Sequence, residues 1–164
     1  MQCKNTPWAN YPIACATNRN DATICSSGCG YVAYTMVVRS FGYMNVTPDQ
    51  IVDIACNEAG HKNSAASASL LTGEILNNKF GLKGGWIKKK DAEQALRDGK
   101  KLIILMPGHW ISVLGINPDG TVIVGDSFFG FAGNNEYTID TLYDATANYR
   151  EPYGWNAVLA YSEK

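Results

Sequence analysis

The fold is decided by one segment, Cys25-Ser26-Ser27-Gly28-Cys29-Gly30-Tyr31-Val32-Ala33-Tyr34-Thr35-Met36-Val37-Val38-Arg39-Ser40-Phe41-Gly42, which predicts a turn followed by a helix. Two serines and Gly28 supply the turn, and Gly42 is predicted to end the helix. Apolar residues recur at helical spacing at Ala33, Met36, Val37 and Phe41. We therefore expect a helix with one buried face and Cys29 in its first turn.

A cysteine at this position has two interpretations. Free N–H groups and the positive end of the helix dipole stabilise a thiolate at a helix N-terminus, and the thiolate is the nucleophilic form. Alternatively, Cys29 is a small buried apolar residue, as most free cysteines are. The segment alone does not decide between them.

A nucleophilic cysteine needs a base, and the sequence has two histidines, His61 and His109. His109 begins a β-rich run over residues 109–116, which the turn Asn117-Pro118-Asp119-Gly120 joins to a second run over 121–126. His61 lies in a polar loop over residues 59–69, with no strand to orient it. His109 is therefore the preferred base.

The predicted hairpin brings a carboxylate near His109. If Ile116 pairs with Thr121, Ile111 lies opposite Asp126, and His109 lies opposite Phe128. His109 shares a face with Ile111, so Asp126 lies one diagonal step away and could orient the imidazole. A bulge of one residue in the turn would break this relationship.

These motifs carry a resemblance. The order Cys, His, Asp, with GCG opening a helix, GHW opening one strand and VGDS closing the next, resembles papain-fold cysteine peptidases related to the bacteriocin-leader (double-glycine) peptidases, in free-standing form. The resemblance includes the opening Gln2-Cys3-Lys4-Asn5-Thr6-Pro7-Trp8-Ala9-Asn10-Tyr11-Pro12 and residues 45–49 and 95–100, so it spans nearly the whole chain. It implies a papain-like α+β fold with the nucleophile helix packed on an antiparallel sheet.

The resemblance also implies roles for four residues. Cys29 would be the nucleophile, His109 the general base and acid, and Asp126 the group that orients the histidine. Gln2 would place its amide in the oxyanion hole beside the Cys29 backbone N–H.

The chain departs from the family pattern in two places. Tyr31 and Val32 follow GCG where the family usually has Pro and a small residue, which changes the expected shape of the cleft wall. Gln2 has no strand before it to hold it, and the alternative donors are asparagines at Asn5, Asn18 and Asn20.

The rest of the chain predicts an α+β fold independently of the resemblance. Helices are expected over residues 48–57, after a capping box at Thr47, and over 70–78 and 91–97, with strands over 102–106, 109–116, 121–126 and 157–161. Trp110 is expected to pack behind the hairpin. Other aromatic residues could line a peptide groove, namely Trp8, Trp86, Phe128, Phe129 and Trp155.

Length and charge restrict the function classes. A chain of 164 residues with net charge −1 predicts a single catalytic domain over residues 1–164, a monomer, with no nucleic-acid partner and no membrane insertion. The N-terminus shows no signal peptide, so we expect synthesis in the cytoplasm, with release or injection as the route to a cell wall. No cofactor and no metal are expected.

The five cysteines leave one thiol outside any complete pairing, which suits a catalytic Cys29. The pairing of Cys3, Cys15, Cys25 and Cys56 cannot be deduced, and without a signal peptide we expect them to be reduced. A structural zinc site is disfavoured, because no second close Cys or His pair follows Cys25 and Cys29.

The residues and the resemblance together predict a cysteine peptidase or amidase that works through a thioester. Analogy with the family implies peptide crosslinks of peptidoglycan as the substrate. The alternatives are a peptidase that cleaves proteins and a catalytically silent binding module that keeps the fold. Thiol labelling across pH would separate the silent module from an enzyme.

Overall fold

The computed structural model describes Cys3 and residues 6–106, 108–126, 131–132, 137–144 and 158–164. The helices in these residues are α1 (Ile24–Ser27), α2 (Cys29–Ser40), α3 (Pro48–Asp53), α4 (Ala68–Leu71), α5 (Glu74–Asn78), α6 (Lys89–Arg97) and α7 (Ile139–Asp144). The strands are β1 (Leu82–Trp86), β2 (Lys101–Met106), β3 (His109–Ile116), β4 (Val122–Asp126), β5 (Phe131–Ala132) and β6 (Val158–Glu163). None of the described helices has the length and apolar character needed to cross a membrane.

The strands form one sheet in the order β1-β6-β2-β3-β4-β5, and each neighbouring pair is antiparallel. The helices lie largely in the first half of the chain and the strands in the second. The α+β fold predicted from the sequence is confirmed.

Each face of the sheet has its own hydrophobic core. Along β2, Ile103 and Leu105 face the core that contains α2, while Leu102 and Ile104 face the core that contains α6 and α7. This alternation follows from the two-residue repeat of a strand. Because both faces are covered, β2 consists almost entirely of apolar residues.

The helix α2 is buried on most sides, since it packs against β3 on one side and α3 on another. Tyr31, Tyr34, Val37 and Val38 are fully buried. The prediction that the nucleophile helix packs on the sheet is confirmed, and Gly42, with φ 106°, follows the helix end.

The predicted capping box at Thr47 is confirmed, with the Thr47 N–H donating to Gln50 Oε1 at 3.1 Å and Pro48 as the first helical residue. The helix predicted over 48–57 divides into α3 and a π-helical turn, Ile54–Glu58.

The helix predicted over residues 70–78 is not continuous in the structure. Residues 70–78 form the end of α4 and then α5, because Gly73 adopts an extended backbone at the N-cap of α5. The buried amide of Asn77 bridges this break. It donates to the carbonyl oxygens of Leu71 at 3.0 Å and Gly73 at 2.8 Å, and accepts from the Tyr34 hydroxyl at 2.9 Å.

Strand β1 is absent from the sequence prediction, because two glycines interrupt its pattern. The structure explains Gly84, since a Cβ there would lie 2.7 Å from Cε1 of Tyr161. The glycine that weakens the strand signal is required for the aromatic ring on β6. The short elements α1, β5 and α7 were also not predicted.

Candidate active site

Cys29 is the first residue of α2, and its side chain is half-buried. All five cysteines are described, and Cys29 has the free thiol. Gly28 occupies the N-cap and has no side chain to cap the helix, and the Val32 N–H donates to its carbonyl oxygen at 2.9 Å. The N–H groups before Val32 have no partner within α2, so this end of the helix suits an anion at Cys29.

The two glycines beside Cys29 are each required by a close contact. A Cβ on Gly28 would lie 2.4 Å from the carbonyl oxygen of Ile24. A Cβ on Gly30 would lie 2.5 Å from Cβ of Ala66 and 3.1 Å from Cδ1 of Trp110. The GCG motif therefore lets the backbone around Cys29 approach α1 on one side and the hairpin on the other.

His109 is the first residue of β3, pairs with Met106 of β2 and is half-buried. Gly108, with φ 63°, reverses the chain immediately before it. Trp110, the next residue, lies against Gly30, the residue after Cys29. Cys29 and His109 are thus at the same end of the α2–β3 interface.

The remainder of this interface fixes the direction of α2. The Ser112 hydroxyl lies 3.4 Å from Sδ of Met36, and Gly125 of β4 lies close to the same sulfur. The helix therefore runs over β3 and β4, with Cys29 near the start of β3.

The register between β3 and β4 corrects one part of the prediction and confirms another. Ile116 pairs with Val122 and not with Thr121, so the expected pair at the turn is wrong. The register shifts between Val113 and Gly115, where Leu114 is an extra residue on β3.

Beyond this bulge the predicted register is restored, because Ser112 pairs with Gly125. Backbone position 126, the last of β4, therefore lies beside Ile111, as predicted. The side chain of Asp126 and the whole of Phe128 are outside the described residues.

The segment 61–67, called the 61–67 loop below, forms a wall next to Gly30. The hydrogen bonds that fix its position include those from Trp110 Nε1 to the Ala66 carbonyl oxygen (3.2 Å), from Thr17 Oγ1 to the Lys62 carbonyl oxygen (2.5 Å), from Asn18 Nδ2 to Asn63 Oδ1 (2.9 Å) and from the Ser64 N–H to Asn18 Oδ1 (3.0 Å). The prediction that Trp110 packs behind the hairpin is confirmed, since it is buried in the core. It also holds the 61–67 loop.

The other predicted candidates are placed as follows. Nε2 of His61 lies 3.0 Å from the Ala65 carbonyl oxygen, within the same loop. The Asn18 amide is engaged by the loop, and Asn20 is exposed. Gln2 and Asn5 are outside the described residues, as are Phe129 and Trp155.

The four other cysteines form two disulfides, Cys3–Cys25 and Cys15–Cys56. The expectation that they are reduced is wrong in this structure. The first disulfide joins residue 3 to α1, immediately before Cys29, with a Cα–Cα distance of 4.4 Å. Cys25 is thereby used as a disulfide partner and not as a zinc ligand. The part of the chain that the structure describes contains no cluster of side chains that could hold a metal ion.

Tyr31 is a fully buried neighbour of Cys29. Burial raises the pKa of Tyr31 above its ordinary value, and negative charge at Cys29 raises it further. The Tyr31 hydroxyl lies 3.5 Å from the carbonyl oxygen of Asn63 in the 61–67 loop. Tyr31, which departs from the family pattern, therefore connects the nucleophile helix to the cleft wall.

Sequence reasoning missed the contact of Gly30, Ala66 and Trp110 and the two disulfides. The small residues at 30 and 66 were visible in the sequence, but they are 36 positions apart and nothing local connects them.

Comparisons with known proteins give a match at the level of the fold. No protein-family model matches the chain, and no curated protein matches it. A similar solved structure is a double glycine motif protease from an AMS/PCAT transporter, determined in complex with the leader peptide. It has a TM-score of 0.52 and 13% sequence identity, over 83% of this chain and 84% of that chain. The chain thus shares the papain-like α+β fold of that protease.

Proposed function

We propose that this chain is a cysteine peptidase or amidase that hydrolyses an amide bond through a thioester intermediate. One observation carries the proposal. Cys29, which has the free thiol, begins a helix with no side-chain cap, and the next residue, Gly30, contacts Trp110, the residue after His109. The fold match to a double glycine motif protease supports the same class.

In this mechanism the Cys29 thiolate attacks the amide carbonyl carbon, and the carbonyl oxygen becomes an oxyanion. The Cys29 N–H at the start of α2, together with the Gln2 amide, donates hydrogen bonds to that oxyanion. His109, having taken the thiol proton, returns it to the leaving amine as the C–N bond breaks. Water then attacks the thioester with His109 as base, and the acid product leaves Cys29 as a thiolate.

His109 meets Cys29 around the end of β3 in this proposal. Alternation along the strand puts Trp110 on the face of α2 and Ile111 on the opposite face. His109 precedes both and follows the reversal at Gly108. Asp126, beside Ile111 in the register, orients the imidazole from β4.

The proposed substrate is a peptide, with peptidoglycan crosslinks as the preferred class. Two disulfides suit a protein that acts outside a reducing cytosol, where cell-wall peptides are found. A peptidase that cleaves proteins is the second candidate, because the similar protease was solved with a leader peptide. We propose that the chain acts as a monomer after release or injection.

The test is mass spectrometry of the fragments released from purified peptidoglycan sacculi and from a denatured protein, without reducing agent. Cys29→Ala and His109→Ala should lower hydrolysis by at least about 1,000-fold. His61→Ala is the matched control and should keep wild-type activity.

Activity that survives Cys29→Ala, or that is lost with His61→Ala but not with His109→Ala, would overturn the assignment. A silent binding module would release no fragments from either substrate, and Cys29 would be alkylated no faster than a free cysteine.

A further inference from the structure

The 61–67 loop is held in place by side chains, because it contains no helix or strand that would pair its backbone groups. Trp110 of β3 and Tyr31 of α2 reach the loop from the elements that carry the proposed catalytic residues. Thr17 and Asn18 reach it from a separate part of the chain, before α1. The position of the cleft wall therefore depends on residues outside the α2–β3 interface.

Asn18 uses both ends of its side-chain amide on this loop. Its Oδ1 accepts a hydrogen bond from the Ser64 N–H at 3.0 Å, and its Nδ2 donates to Asn63 Oδ1 at 2.9 Å. The bond from Ser64 fixes which way the amide faces, because a backbone N–H needs an oxygen as its acceptor. Ser64 is itself buried. Asn18 therefore satisfies a backbone donor of a buried residue that is 46 positions away.

The constraint extends from Asn18 along the loop. Oδ1 of Asn63 also accepts from the Ala65 N–H at 3.4 Å. The next residue, Ala66, lies against Gly30. The contacts are therefore continuous from Asn18 to the residue after the proposed nucleophile.

Asn18 is supported by a covalent bond close to it in the sequence. Cys15, three residues earlier, is bonded to Cys56 in the π-helical turn. The His61 N–H donates to the carbonyl oxygen of Ala55 in the same turn at 2.9 Å. The segment that carries Asn18 and the start of the loop that it holds are thus attached to one element.

These contacts distinguish Asn18 from an oxyanion donor, the role that the sequence left open for it. An oxyanion donor points its N–H at the carbonyl oxygen of a substrate bound at the nucleophile. Both ends of the Asn18 amide instead point to the loop.

We propose that Asn18 is a positioning residue for substrate binding: it fixes the 61–67 loop as the wall against which a peptide at Cys29 lies. The inference rests on the proposed function. Without the Asn18 amide, the loop leaves its position in a fraction of the molecules, while Cys29 keeps its place at the start of α2. The apparent affinity for a peptide then falls in proportion to the fraction in which the loop is in place.

The experiment compares two reagents that alkylate Cys29. N-acetyl-alanyl-alanine chloromethyl ketone presents a peptide to the cleft, and the Cys29 thiolate displaces its chloride to form a thioether. Iodoacetamide alkylates the same thiol and carries no peptide. Rates at several concentrations of the peptide reagent separate KI, the concentration that gives half the maximal rate, from kinact, the maximal rate. The measurement does not require the cleaved bond to be known.

Asn18→Ala should raise KI by about tenfold and leave kinact and the rate with iodoacetamide unchanged. Asn18→Asp should raise KI by only about threefold, because its carboxylate still accepts from the Ser64 N–H but cannot donate to Asn63. Asn20→Ala is the matched control and should keep the wild-type values. Asn20 is an exposed asparagine two residues further on and, among the described residues, makes no hydrogen bond to the loop.

Equal KI values for Asn18→Ala and Asn20→Ala would overturn the inference. A lower kinact with an unchanged KI would also overturn it, because that result is expected of an oxyanion donor when the ketone forms a tetrahedral adduct. If Asn18→Ala does not fold, Asn18→Asp is judged by the same two criteria.

A reaction of the wild type with the peptide reagent that does not saturate would overturn the inference as well, since the loop would then bind no peptide. The proposed function is decided separately, by the loss of hydrolysis in Cys29→Ala and His109→Ala.

Discussion

Gly30 lies against Ala66 so closely that a Cβ on Gly30 would come within 2.5 Å of the Ala66 Cβ. The residue after the proposed nucleophile is thus in contact with the 61–67 loop, which Trp110 holds from the other side. Gly30, Ala66 and Trp110 therefore hold α2, the 61–67 loop and β3 in contact with one another.

Gly30→Ala should therefore destabilise the fold and impair the site together. The added methyl group must displace Ala66 or α2, and overpacking of this kind costs about 1–3 kcal/mol. We expect this loss in urea unfolding and a fall in hydrolysis of about tenfold. Gly85→Ala is the control, because a Cβ added at Gly85 would have no atom within 4 Å. The stability of this variant should differ little from that of the wild type. Equal effects of the two substitutions would contradict the packing argument.

Asp126→Asn should be milder than Asp126→Ala. In the proposed mechanism the amide would keep a group that can hydrogen-bond to the imidazole, and papain-like enzymes use Asn in this role. We expect losses in kcat/KM of about tenfold for Asn and about 100-fold for Ala, both smaller than for Cys29→Ala. Full activity of Asp126→Ala would leave a dyad of Cys29 and His109.

Deletion of Leu114 should preserve the fold and the activity. It would make Val113–Val124 and Gly115–Ile123 consecutive pairs and so remove the bulge, and the pairing of β3 with β2 already ends at Val113. The variant loses the partly buried side chain of Leu114, so its free energy of unfolding in urea should fall by about 1–3 kcal/mol.

Deletion of Ile111 is the contrasting variant, because it turns Trp110 away from α2 and moves His109 by one position. It should abolish hydrolysis. A folded but inactive Leu114 deletion would show that the bulge itself positions the site.

Stability should fall above about pH 10, because burial raises the pKa of Tyr31, Tyr34 and Tyr161 in the folded chain. The unfolded chain loses these protons near pH 10 and the folded chain keeps them, so each tyrosine lowers the free energy of unfolding by up to about 1.4 kcal/mol per pH unit. Urea unfolding between pH 9 and pH 11 measures this slope.

Tyr161→Phe tests the assignment. It removes the hydroxyl that donates to the Leu71 carbonyl oxygen at 3.1 Å, which lowers stability at every pH. Only the slope above pH 10 is diagnostic, and it should become smaller, since one of the tyrosines whose pKa is raised in the folded chain is lost. An unchanged slope would assign the alkaline loss to other groups.

The sequence predicted the parts of this fold that local patterns encode. The helix α2, the capping box at Thr47 and the strands around His109 all have a periodic pattern and a recognisable end. The strand β1 and the break at Gly73 were missed. The strand depends on a distant contact with Tyr161, and Asn77, whose amide bridges the break, accepts a hydrogen bond from the distant Tyr34. Tertiary packing overrides propensity at such positions.

The hairpin shows how a correct relationship can follow from an incorrect premise. The predicted turn pair is wrong by one residue, yet residue 126 lies beside Ile111 because the bulge at Leu114 compensates. The available signal in β3 is Gly115, next to Leu114, because a glycine inside a strand often marks a bulge. The roles of Gln2 and of the Asp126 side chain remain predictions.

The two disulfides interleave along the chain, with consequences for how it matures. Cys15 lies within the loop closed by Cys3 and Cys25, and Cys25 lies within the loop closed by Cys15 and Cys56. While the chain is still unfolded, the Cys29 thiol is four residues from Cys25 and can attack any disulfide formed there. We therefore expect the Cys29 thiol to exchange with these disulfides in the unfolded chain until α2 packs on the sheet.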